Sequence, residues 1–133
     1  MPTMSEGPKG RVRVEFPADT MNMVIARTVA AAMAARADLT VDQVEDVRLA
    51  MDEATAYAIK VALPGSAVRC DLWTQERTVH AIVECSIDQA PPPDPDPFAW
   101  TVLTALVNTA HLDVEDRTVR VQWSLTSDHS LHA

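Results

Sequence analysis

Apolar and polar positions change period several times along this chain, and each change marks an element. Val12, Val14 and Phe16 alternate with Arg11, Arg13 and Glu15, the pattern of a half-buried strand that Pro17 ends. From Asp19 the spacing becomes helical. Met21, Val24, Ile25, Thr28, Val29 and Ala32 predict the inward face of a helix reaching about Ala37. Thr40 followed by Gln43 forms a capping box, in which each side chain satisfies the other's free backbone N–H, so a second helix starts there. Its apolar stripe is Val44, Val47, Met51, Ala54, Ala58 and Ala62, its polar side carries Asp42, Glu45, Asp46, Asp52 and Lys60, and Pro64-Gly65 stops it.

Two alternating runs follow, Ala67–Gln75 and Thr78–Ile87, and the short turn at Glu76 makes them antiparallel neighbours. Gln89 to Pro97 holds five prolines, two aspartates and no periodicity, which predicts an irregular linker. Asp96-Pro97 supplies an N-cap and a first-turn proline for a third helix, expected from Phe98 to about Ala110 with Leu103, Leu106, Val107 and Ala110 inward. A final strand, Thr118–Leu125, directs Val119, Val121, Trp123 and Leu125 inward. One apolar face per strand predicts an α/β two-layer sandwich, with an antiparallel or mixed four-stranded sheet covered on one face by three helices. Residues 1–10 are expected to be a flexible arm, 11–125 a single domain, and 126–133 a flexible tail.

With 133 residues the chain has room for one core and little room for two. Its net charge of −8, from 19 acidic and 11 basic residues, disfavours direct contact with nucleic acid and suits a partner with a basic surface. No apolar run is long enough to cross a bilayer, and Met1 to Gly10 lacks the apolar stretch of a signal peptide, so a cytoplasmic protein is expected. Cys70 and Cys85 fall on the apolar parity of their strands and read as small core residues, and that compartment disfavours a disulfide. The four histidines have no zinc-ligand spacing, so no metal site is expected.

The run Arg48-Leu49-Ala50-Met51-Asp52-Glu53-Ala54, with this element order, resembles the anti-sigma-factor serine kinases of the GHKL (Bergerat) ATPase superfamily. The likeness spans about Arg11 to Leu125, and Phe98–Asn108 is similar to the divergent actinobacterial branch, the UsfX type. The resemblance implies a degenerate histidine-kinase-type ATPase fold that holds an alternative sigma factor of the stress or sporulation type inactive. In the active family a glutamate on the second helix activates the attacking group, and Glu53 matches it. Four residues on, where an asparagine binds magnesium, this chain has Tyr57, a poor ligand for a hard cation. Asp88 matches the aspartate that accepts the adenine amino group, but Gln89-Ala90-Pro91 stands where glycines belong. The phosphate-wrapping stretch is replaced by Asp94-Pro95-Asp96-Pro97, and the lid connection is short. None of the three glycines (Gly7, Gly10, Gly65) lies in these boxes.

With four departures pointing the same way, no ATP hydrolysis or phosphoryl transfer and no cofactor are expected. The leading reading is a binding protein: an anti-sigma factor without kinase activity, released by an anti-anti-sigma protein of the STAS type. The alternative is a magnesium–ATP serine kinase acting on that STAS antagonist through Glu53 and Asp88. A third reading is an adaptor of the same shape without a sigma partner. Alignment from Phe16 places Arg27 at a first-helix arginine that contacts acidic residues of the sigma factor, with Asn22 nearby. The plainer reading of Arg27 and Glu53 is a solvated helix face, and Tyr57 reads as a plug of the old nucleotide pocket or as a boundary tyrosine. Trp73 falls on the polar parity of its strand, where an interface or cross-strand packing would use it, and Trp100 reads as core or pocket filler. Family members commonly dimerise, and the edge of the first strand offers a homodimer contact.

Overall fold

Alternation along the chain assembles one antiparallel sheet from β1 (Val12–Pro17), β2 (Ala67–Gln75), β3 (Thr78–Ser86), β4 (Thr109–Glu115) and β5 (Thr118–Thr126), in the order β1-β2-β3-β5-β4. The computed structural model describes residues 10–88 and 92–129. The arm over residues 1–9, the Gln89-Ala90-Pro91 step and the tail end over 130–133 lie outside the described residues. Pairing Cys70 with Val83, and Val83 with Val121, puts the apolar parity of β2, β3 and β5 on one face, where these residues are fully buried. Three helices cover that face: α1 (Met23–Arg36), α2 (Val41–Val61) and α3 (Pro97–Leu106). The two-layer sandwich is therefore as the sequence predicts.

The other face of the sheet is uncovered and polar. Arg13 pairs with Asp71 at 2.8 Å, and the Glu84 carboxylate sits between Arg69 at 2.5 Å and Arg120 at 2.6 Å. Trp73 stacks on His80 across the β2–β3 pair, with centroids 5.1 Å apart, and the Arg11 guanidinium lies 4.7 Å from the tryptophan ring. Cross-strand packing thus accounts for Trp73.

Two features differ from expectation. The sheet has five strands rather than four, because the third helix ends at Leu106 and Val107 is already extended (φ −127°, ψ 166°). Val107, Asn108 and Thr109 are weak helix formers, and Ala110, Leu112 and Val114 then alternate with polar residues along β4, an edge strand. Val107 and Ala110 consequently pack on the core from outside α3, while Leu103 is the buried residue within it.

The second difference is the orientation of α1. Its buried residues are Ala26, Ala30, Met33 and Ala34, not the predicted stripe. Met21, Val24 and Ile25 are exposed by 74%, 52% and 44%, and Val29 is half-buried. Small residues let α1 approach α2 closely, so the alanine face turns inward and the larger side chains are left outside. A single 3-10 turn, Thr20–Asn22, precedes α1 and is capped by Asp19. The start of α2 is as predicted, with the Thr40–Gln43 capping box formed in both directions.

Both two-residue hairpin turns have positive φ at both positions without glycine: Glu76 (51°) and Arg77 (61°), then Asp116 (51°) and Arg117 (62°). Each second residue is an arginine that reaches a neighbouring segment. Arg77 donates to Ser127 Oγ and the His129 carbonyl and pairs with Asp38 at 3.3 Å, while Arg117 donates to the Asp88 carbonyl.

Candidate functional site

Adjacent positions on a helix diverge by about 100°, so Asp52 and Glu53 on α2 serve different surroundings. Asp52 turns towards α1 and accepts from Arg27 Nε with both carboxylate oxygens, at 2.9 and 3.1 Å. Glu53 turns towards α3 and lines a cavity of about 140 Å³ between α2, α3 and β5. Tyr57 and Lys60, four and seven residues on, share that face of α2. From the other side come Asp96, Trp100 and Leu103.

The segment before α3 is fixed by its own polar groups. Asp96 Oδ1 accepts from the backbone N–H of Phe98 at 2.8 Å and of Ala99 at 3.4 Å, capping α3. Tyr57 Oη donates to the Pro93 carbonyl at 2.7 Å, joining α2 to the proline-rich linker. The phenol is pushed up from its ordinary pKa by burial first, then by nearby acidic groups. The Glu53 carboxyl is also raised, by burial and then by the negative charges of Asp52 and Asp96.

Asp88 does not line this cavity; it is exposed, and its carbonyl is held by Arg117. Glu53, Tyr57 and Trp100 are therefore brought together, and Asp88 stands apart from them. Arg27 and Asn22 lie on another surface. The Asn22 amide donates to the Pro17 carbonyl at 2.9 Å, and Arg27 is committed to Asp52. The exposed Met21, Val24 and Ile25 belong to this same end of the α1 segment. Sequence reasoning did not anticipate that Asp52 would hold Arg27, a pairing 25 residues apart that no local pattern encodes. Lys60 was also missed as a cavity residue, although its spacing from Glu53 is two helical turns.

The matching family model is the histidine kinase-like ATPase domain, over residues 16–100. The chain belongs to the histidine kinase-like ATPase domain family. Among curated proteins it is similar to the anti-sigma-F factor RsbW of Mycobacterium tuberculosis, in strains CDC 1551 / Oshkosh and ATCC 25618 / H37Rv. Each is 35% identical over 99 residues, 73% of this chain. The chain spans 58% of the length of these relatives.

For a histidine kinase-like ATPase domain, this cavity has an unusual donor set. Magnesium takes carboxylate, amide or water oxygens in tight octahedral geometry, whereas Tyr57 offers a phenol whose proton is already given to Pro93. Asp96 adds a negative charge beside Glu53, where an anionic ligand would be repelled. The volume is also below the roughly 300–1,000 Å³ of pockets that enclose drug-sized ligands. Among the described residues no three His, Cys, Asp or Glu side chains are grouped to hold a metal ion, and no helix is long and apolar enough to cross a membrane.

Proposed function

We propose that this chain is an anti-sigma factor that sequesters an alternative sigma factor in the cytoplasm without acting as a kinase, and that a STAS-type antagonist releases it. The observation that carries this reading is the α1 surface. Val24 and Ile25 of α1, and Met21 of the turn before it, are exposed near the start of a helix that also carries Arg27 and whose inward face is mostly alanine. Exposed apolar side chains grouped with an arginine are the composition of a protein-binding surface. The similarity to anti-sigma-F factor RsbW supports the same reading. Absence of catalysis is supported by the donor set around Tyr57 and the acidic linker. The direct test is titration of the purified chain with sigma factors from its own cells. A stoichiometric complex with one of them is expected, and failure to bind any would remove the reading.

One observation favours a second reading, a serine kinase. Glu53 faces the cavity with a raised pKa, the property a general base needs. Saturable nucleotide binding at millimolar ATP, monitored by fluorescence, would support it.

A further inference from the structure

The α2–α3 cavity has a chemistry of its own. Its size is close to the roughly 150 Å³ of an engineered apolar cavity that takes up benzene. Leu103, Val121, Ala54 and the Trp100 ring supply apolar walls. Glu53 stands on one side, and the charges acting on it are those of Asp52 and Asp96, both negative. Asp52 is neutralised by Arg27, which lies on α1 and does not line the cavity. Lys60 also lines the cavity, but it is two helical turns from Glu53, about 10 Å along the axis, and is not among the charges that shift the Glu53 carboxyl. A neutral ring would fill the apolar volume and leave Glu53 uncompensated, while an anion would meet two carboxylates. A cation on a short aromatic stem satisfies both parts, and the Tyr57 and Trp100 rings add favourable faces for it.

We propose that this cavity binds a small aromatic ammonium ion, a single ring bearing one positively charged nitrogen on a short arm, with the ring against Leu103 and Val121 and the nitrogen beside Glu53. The site is independent of the sigma-binding surface, which lies on α1, so either assignment can fail without the other.

The experiment is a titration of the full chain with benzylammonium, benzyl alcohol and benzoate at neutral pH, followed by the backbone and tryptophan-indole NMR signals. Saturable shifts at Ala99 and Trp100 are expected, with benzylammonium bound most tightly and benzoate least. Glu53→Gln should weaken benzylammonium by about tenfold and leave benzyl alcohol unchanged. Ala99→Leu, which fills the cavity from α3, should abolish binding of both. Equal binding of benzoate, shifts centred on Trp73 of the uncovered sheet face, or no saturation at millimolar ligand would each overturn the proposal. Should Glu53→Gln fail to fold, the order of the three ligands and the Ala99→Leu variant still decide it.

Discussion

Arg27 on α1 and Asp52 on α2 are joined through a single nitrogen, Nε, which meets both carboxylate oxygens at 2.9 and 3.1 Å. The terminal guanidinium nitrogens remain available to another acceptor, so the same arginine can tie two helices and meet a partner's carboxylate. Arg27→Glu is expected to reduce sigma-factor affinity at least tenfold, about 1.4 kcal/mol. The pair is partly exposed, so its loss should cost less than about 1 kcal/mol, to which the new glutamate adds repulsion from Asp52 of about the same size. Asp52→Asn releases the arginine and should preserve or raise the affinity. Calorimetric titration of the two variants separates these outcomes, and unchanged affinity in Arg27→Glu would reduce Arg27 to an intramolecular tie.

Tyr57→Asn restores the residue type that the resemblance associates with magnesium, yet it alters neither the acidic linker nor the small volume of the cavity. No magnesium-dependent ATP binding is expected from this change alone. Fluorescence titration with and without magnesium checks it, and acquired binding would show that Tyr57 alone blocks the site.

Glu53 contributes in the opposite sense to a stabilising carboxylate. Its folded pKa lies above the ordinary 4.5 because of burial and the charges of Asp52 and Asp96. The folded state therefore holds its proton more tightly than the unfolded chain. That advantage is present at low pH, declines as the pH rises from the ordinary value through the folded one, and is absent at neutrality. Glu53→Gln is expected to raise the melting temperature at pH 7 by on the order of 2 °C. The gain should vanish below about pH 4, a dependence that differential scanning calorimetry reads directly.

Glu84 shows the reverse behaviour. Burial alone would raise its pKa, but hydrogen bonds and charges from Arg69 and Arg120 outweigh burial and bring it below the ordinary 4.5. Its stabilisation is complete above that value and is lost as the pH falls through the folded pKa. Glu84→Gln leaves two arginines facing a neutral amide and should lower stability by about 1–2 kcal/mol at pH 7. The difference from the parent chain should shrink in denaturant titrations at pH 3.

Both cysteines are free and buried, and burial pushes Cys70 up to about 12 and Cys85 up to about 11. Neither thiol is expected to react with a thiol reagent at pH 8 in the folded chain, and both should react on unfolding. The labelling rate then reports global opening of the sheet. Rapid reaction of one cysteine in native buffer would place its strand in a more mobile part of the molecule.

The elements best read from sequence are those whose signals are local. β2 matches its expected span because every second residue is apolar, and α2 begins at its capping box because Thr40 and Gln43 satisfy each other's backbone. α1 was misoriented because helical spacing alone does not say which of two apolar stripes turns inward. The choice between Val24 with Ile25 and Ala26 with Ala30 is made by the close approach of α2, a tertiary contact. β4 was hidden because Val107 and Ala110 continue the helical spacing of α3 while the backbone has already become extended. In the cavity, Glu53 and Tyr57 are singled out by the family resemblance, and their spacing of four on α2 places both on the cavity side. Asp88 stands apart from them, with its carbonyl held by Arg117 of a distant hairpin, a contact that no local pattern encodes.

The two hairpin turns bear on any attempt to engineer this protein. A stability screen guided by backbone preference would replace Glu76-Arg77 and Asp116-Arg117 with Asn-Gly first, since asparagine and glycine adopt positive φ with the least strain. Such a chain would gain comfortable turns and keep the backbone bonds that the two turn carbonyls accept from Ser127 and Ile87, but it would lose both side-chain anchors: one fastens the end of β5 to the α1–α2 corner, the other steadies the approach to the proline-rich linker. The hairpins thus serve as brackets for segments that have no regular structure, and backbone ease at these positions has been exchanged for that reach.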